Sequence, residues 1–232
     1  MPTSRTLLVL GSGPGIGVAV ASRFAQEHFD CVAIFARTGS QLQLDQDAIH
    51  TAVQKVGREV VVKAWQVDIS NIDQLKAALK QVESFGTIEC VYFNPARVGG
   101  SNFFDFPTEE MISDFQISVI ALYVTAQWAV PLLLRTKEKN PGLDYKPSIL
   151  VTSSLLPVDP IPELFSLSLV KAAQANMVKS LEKMFKARGI HIGMVIVGGM
   201  VSPDATTLNP TNIAQRAWEL FQRGELSDVT IL

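Results

Sequence analysis

The sequence predicts an α/β protein in which one seven-stranded parallel sheet carries helices on both faces. Three observations predict it: strand-like and helix-like segments alternate along the chain, the strand-like segments are continuous apolar runs, and a glycine-rich turn follows the first of them. Alternating units favour a parallel sheet, because each parallel connection needs a crossover long enough to hold a helix. Unbroken apolar runs are what strands need when both faces are covered.

The elements follow in order. Residues 6–10 form the first strand, and 16–28 place apolar residues at helical spacing. Residues 31–36 are the second strand and 41–56 a helix with a polar face. The third strand is 60–67, followed by a helix over 71–85 that Asn71 or Ser70 caps. The fourth strand is 88–93. A long helix over 108–137 opens on Glu109 and Glu110 and closes on bases, which suits its dipole. The fifth strand is 148–152, then a helix over 163–188 ended by Gly189. A sixth strand at 190–197, a short helix at 212–221 and a seventh strand at 228–231 complete the set.

Nothing divides this pattern, so 1–232 reads as a single domain, and 47% hydrophobic residues suffice for a sizeable core. A net charge of −2 argues against a nucleic-acid partner. Cys31 and Cys90 sit inside apolar runs and read as buried free thiols, which suits a reducing, cytoplasmic compartment. The apolar stretch over 1–10 is too short for a signal peptide and runs into glycines. The most apolar region, 117–134, is broken by Ser118, Thr125, Gln127 and Pro131, so it reads as a buried helix and not a membrane span. His28, His50 and His191 have no metal-like spacing.

The first chemical feature is the turn Gly11-Ser12-Gly13-Pro14-Gly15-Ile16-Gly17, between the first strand and the first helix. Without Cβ atoms the backbone admits a diphosphate closely, and the following helix aims free N–H groups at the anion. In that context the turn indicates a Rossmann-type, doubly wound domain that binds a dinucleotide. At the end of the second strand, where an acidic residue would accept from the ribose of NAD, the chain has Ala36 and Arg37. An arginine there can pair with a 2′-phosphate, so the expected cofactor is NADP(H).

Here the chain resembles the short-chain dehydrogenase/reductase family. Gly11, Gly15 and Gly17 match its loop; Val67-Asp68-Ile69 resembles its turn at the adenine; Phe93-Asn94-Pro95-Ala96 resembles its segment after the fourth strand. Thr152-Ser153-Ser154 resembles the segment with the active-site serine, Ser154 being the match, and 167–173 resembles the helix start that carries tyrosine and lysine. The resemblance implies Gly11, Ser12, Gly13, Gly15, Ile16, Gly17, Arg37, Asp68, Ile69, Asn94 and Lys171 as cofactor-binding residues. It also implies Ser154 and Lys171 in the catalytic site.

The family's tyrosine, however, falls at Leu167, four residues before Lys171 and thirteen after Ser154. Its relay asparagine falls near Ser118. Lys171 can still hold the nicotinamide ribose and Ser154 can still donate, but the general acid is gone, and such a group is worth roughly 10²–10⁴-fold in rate. Asp159 is a candidate replacement acid, as is Glu163; the alternative is that both are exposed loop residues. Arg97 either orients an anionic substrate or lies on the surface.

Only 200–209 stands where the family carries a helical lid, so the lid is expected to be short and the pocket open. The function expected is an atypical NADP(H)-dependent oxidoreductase acting on a bulky or iminium-like small molecule. Hydride addition to an iminium ion needs no proton at the reacting atom. Two alternatives remain open: a scaffold repurposed for non-redox chemistry such as isomerisation or cyclisation, and a non-catalytic NADPH-binding sensor or partner module. The resemblance also implies a homodimer or homotetramer built on the two long apolar helices.

Overall fold

A computed structural model describes residues 4–139 and 144–232. The first three residues of the apolar stretch over 1–10 therefore lie outside the described residues. Seven strands form one parallel sheet in the order β3-β2-β1-β4-β5-β6-β7. They are β1 Arg5–Leu10, β2 Cys31–Ala36, β3 Val61–Gln66, β4 Thr87–Phe93, β5 Ser148–Ser154, β6 His191–Val197 and β7 Asp228–Ile231. The helices are α1 Ile16–Glu27, α2 Gly39–Gln54, α3 Ile72–Val82, α4 Thr108–Phe115, α5 Ala121–Lys139, α6 Phe165–Phe185 and α7 Pro210–Arg223.

Side-chain alternation splits the core in two. Leu8 and Leu10 of β1 join a cluster under α3, α5 and α6, whereas Leu7 and Val9 join one under α1, α2 and α7. All four are fully buried, as strands covered on both faces require. Asn71 caps α3 by accepting from the Gln74 amide, and Asn209 caps α7 in the same way through Asn212. Gly189, at φ 81°, ends the short 3₁₀ turn that continues α6.

One expectation needed adjustment. The long helix expected over 108–137 is interrupted by a π-helical turn at Gln116–Ile120, between α4 and α5. The run Thr108–Lys139 is long and apolar enough to cross a membrane, but half of its most apolar stretch is packed inside, as in a core helix. No helix lies between β6 and α7; residues 200–209 form a looped segment closed by the Ser202 amide on the Leu208 carbonyl at 3.0 Å. The short lid is therefore borne out.

The strand order reverses between β1 and β4, which pair with Leu10 opposite Phe93. A crevice opens there at the carboxyl ends of the strands, where open α/β sheets bind ligands.

Candidate functional site

The glycine turn leaves β1 at the mouth of this crevice. Gly11, at φ 77°, hands its amide and that of Ser12 to the Phe35 carbonyl, both at 3.0 Å. A Cβ on Gly11 would lie 2.9 Å from the Pro95 nitrogen, and one on Gly17 would lie 2.9 Å from the Ser12 Cα. Those glycines fold the turn. Gly13 and Gly15 have open space where a Cβ would stand, and no side chain caps α1. The turn thus presents bare backbone and an uncapped helix start to a ligand, an arrangement that fits a diphosphate.

A cavity of about 230 Å³ adjoins the turn, lined in part by Gly11, Ser12, Arg37, Ile69 and Asn94. These five expected cofactor residues are thus brought to one place. Gly13, Gly15, Ile16 and Gly17 belong to the adjoining turn and helix start. The Arg37 side chain is exposed, and no hydrogen bond or ion pair engages its guanidinium among the described residues. Asp68 is turned to its own loop, its carboxylate accepting from the Ser70 amide at 3.0 Å and hydroxyl at 2.7 Å.

From the crevice a chain of hydrogen bonds runs inward. Asn94 donates from Nδ2 to the Gly11 carbonyl at 3.0 Å, which leaves Oδ1 to accept from the Thr152 hydroxyl at 2.8 Å. Thr152 also bonds the buried Tyr92 hydroxyl at 2.9 Å, and burial pushes that phenol well above its ordinary pKa. The Thr152 carbonyl accepts from Lys171 Nζ at 2.7 Å. Lys171 is 4% exposed, and desolvation lowers its pKa to about 8.

Around Lys171 the expected catalytic positions separate. Ser154, at the end of β5, accepts from the Leu156 amide at 3.3 Å, and its own proton is not committed to an acceptor. Leu167, where the resemblance puts the tyrosine, is buried with Val119, Leu156 and Val170, backed by Ala96 and Phe115. Asp159 and Glu163 are exposed, and the Asp159 carboxylate bonds no other residue among those described. Arg97 is neither free nor idle: it grips the buried Asp114, which also accepts from the Ser166 hydroxyl at 2.6 Å.

Sequence reasoning missed three participants. Gln174 joins Lys171 to the π turn, and a glutamine three residues after a lysine on one helix was a visible signal. Asp45 accepts from the Ser12 hydroxyl at 2.5 Å and from Gln41 at 2.8 Å; a lone acid on the buried side of α2 could have flagged it. Asp114 gave no signal, because its partners come from distant segments. No group of three metal-ligating side chains occurs among the described residues.

A sequence profile of the short chain dehydrogenase family matches residues 5–213. The chain is 25% identical over 194 residues to the Bacillus subtilis "Uncharacterized oxidoreductase YvrD", covering 84% of this chain and 68% of that protein. It spans 63% and 62% of two further curated relatives. Among solved structures, a short-chain dehydrogenase from Sphingobium yanoikuyae in complex with NADPH superposes at a TM-score of 0.80. It is 19% identical, with 97% of this chain and 87% of that one covered. An NADH-dependent reductase complexed with NAD superposes at 0.81, with 16% identity and coverages of 98% and 95%. At these identities the structural likeness speaks for the fold.

Proposed function

Because this chain belongs to the short chain dehydrogenase family of oxidoreductases, we propose that it is an NADP(H)-dependent reductase without the tyrosine proton donor. Its substrates are electrophiles that need no proton at the reacting atom, iminium-like ions above all. The observation that carries this reading is Leu167, buried in an aliphatic cluster while Lys171 and Ser154 are kept.

The free guanidinium of Arg37 at the edge of the cavity supports the 2′-phosphorylated cofactor, since a planar fork pairs with phosphate oxygens. Gly13 and Gly15 would admit the diphosphate, with Asn94 and Ile69 lining the adjoining space. Lys171 has one N–H left after Thr152 and Gln174, and that N–H would hold the nicotinamide ribose. NADPH would supply the hydride: a C–H bond of its dihydronicotinamide would break as one forms at the iminium carbon, the C=N pair would pass to nitrogen to give the neutral amine, and the cofactor would leave as NADP+. Ser154 would orient the substrate by donating its hydroxyl proton as a hydrogen bond. This chemistry requires no general acid, so it assigns no step to Asp159, which is exposed.

A bulky substrate suits the chain, because the short 200–209 segment leaves the substrate side uncovered by helices. The exposed Ile120, Tyr123, Leu169 and Met184 on the π turn, α5 and α6 support assembly into a homodimer or homotetramer.

The test is a fluorescence titration with NADPH and NADH, followed by stopped-flow oxidation of bound NADPH with cyclic iminium ions and with ketones. Preferential NADPH binding and iminium-dependent oxidation support the proposal; turnover of ketones alone overturns it. A second reading, a cofactor-binding module without catalysis, is favoured by the filled cluster around Leu167. Tight NADPH binding with no oxidation by any electrophile would select it.

A further inference from the structure

The relay position expected near Ser118 holds something other than a relay. Within the π turn Gln116–Ile120 the Ser118 carbonyl accepts from Gln174 Nε2 at 2.8 Å. Fixing that nitrogen fixes the amide's orientation, so Gln174 Oε1 must face Lys171, and it accepts from Nζ at 2.9 Å. Gln174 is fully buried. It therefore bridges the π turn to the lysine with both of its polar atoms used.

This bridge answers two physical demands. A buried ammonium is costly unless its donors are satisfied, and no carboxylate pairs with Lys171 among the described residues. Two neutral acceptors, the Thr152 carbonyl and Gln174 Oε1, take two of its three N–H groups and leave one. A glutamine amide also accepts and donates without passing a proton, so it connects the π turn to Lys171 mechanically and not as a proton wire.

We propose that Gln174 is the positioning residue of Lys171: it pins the ammonium between α6 and β5, so that a single N–H is left to meet the ribose of a bound dinucleotide. The last clause rests on the function proposed above; the pinning does not. The groups that face Lys171 are Thr152 from β5, with Tyr92 of β4 behind its hydroxyl, Ser118 from the π turn, and Gln174 from its own helix. Tyr92 is the only titratable one, and burial keeps it neutral at any ordinary pH.

The test follows Lys171 by carbon-13 NMR of labelled lysine side chains in the free protein, with the signal identified by its loss in Lys171→Arg. The unsubstituted protein is expected to titrate near pH 8. Gln174→Glu places a carboxylate against the ammonium and should raise the midpoint by about one unit or more. Gln174→Leu removes an acceptor of the charged form and should lower it; Gln174→Met, of matching length, serves if the leucine variant does not fold. NADPH affinity at pH 7 should fall about tenfold in the apolar variants. A residue that merely packs would change stability and leave the midpoint where it is. Folded Gln174→Glu and apolar variants with an unmoved Lys171 midpoint overturn the proposal. Shifted midpoints in a protein that binds neither NADPH nor NADH uphold the pinning and overturn the dinucleotide reading instead.

Discussion

Arg97 grips Asp114 with two parallel bonds, Nε to one carboxylate oxygen at 2.6 Å and Nη2 to the other at 2.8 Å. The pair ties the segment behind β4 to the buried side of α4, and the Ser166 hydroxyl brings in the start of α6. The Ser101 amide bonds the Glu163 carbonyl at 2.8 Å, so the two loops flanking the substrate side are zipped together. Asp114 is 2% exposed, whereas the Arg97 side chain is about a third exposed.

That asymmetry sets the first prediction. Arg97→Ala leaves a buried carboxylate with one hydroxyl partner and should destabilise the fold by about 2–3 kcal/mol, somewhat under the cost of breaking a fully buried pair. Replacing both partners, as Arg97→Met with Asp114→Leu, should recover most of that loss. Urea unfolding of the single and double variants checks this; additive losses would show that the two side chains act independently.

The glycines of the turn separate folding from binding. Gly17→Ala pushes a Cβ against the Ser12 backbone and should cost about 1–3 kcal/mol of stability. Gly15→Ala meets nothing in the protein and should fold normally, yet it should weaken NADPH binding about tenfold or more by standing where the diphosphate approaches. Thermal unfolding and fluorescence titration on the same samples measure the two effects. A Gly15→Ala protein that binds as tightly as the unsubstituted one would remove the diphosphate from this turn.

Arg37→Glu should weaken NADPH binding by roughly 10–100-fold and NADH binding little, the difference being one charge-assisted phosphate contact. Equal losses for both cofactors would show that Arg37 contributes general electrostatics and no recognition of the 2′-phosphate.

The contrast between what was legible and what was not follows from distance along the chain. Residues 31–36 were read as a strand with its bounds intact, because a doubly covered strand writes its burial in consecutive residues, and 228–231 were read as one from the alternation that an edge strand shows. Gly11 to Gly17 were readable for the same reason: the turn, the strand before it and the helix after it are contiguous. The π turn was not, because Ser118 has an ordinary helical neighbourhood and its carbonyl's partner, Gln174, comes from another helix. The Ser12–Asp45 contact, 33 residues apart, and the Arg97–Asp114 contact, 17 apart, likewise exist only once the sheet has brought loops and helices together.

Leu167→Tyr would place a phenolic proton donor one helical turn before Lys171. The ring must enter the aliphatic cluster of Val119, Leu156 and Val170, so stability should fall by about 1–3 kcal/mol. Ketone reduction should rise by roughly 10²-fold, the low end for a positioned acid, because Gln174 still occupies the path to the π turn. Steady-state NADPH oxidation with a panel of ketones measures it. No gain in a folded variant would show that the missing hydroxyl is not what limits carbonyl reduction.

The last prediction concerns Lys171 and pH. Its folded pKa is lowered to about 8 from an ordinary 10.5, so between those values the unfolded chain binds the proton and the folded chain does not. The unfolded state then holds more protons, and stability must rise with pH across that window. Below about pH 8 both states are protonated, and burying the ammonium costs the full difference, on the order of 3 kcal/mol. Lys171→Met removes the ammonium but leaves the Thr152 carbonyl and the Gln174 amide without their donor, so its net gain at pH 7 should be well under that figure. The sharper signature is the slope. Chemical unfolding between pH 7.5 and 10.5 should show the unsubstituted protein gaining stability relative to Lys171→Met, with the change centred above pH 8. A constant difference across that range would mean that Lys171 titrates alike in the folded and unfolded chains. Its buried hydrogen bonds to Thr152 and Gln174 would then carry a charge that folding does not disturb.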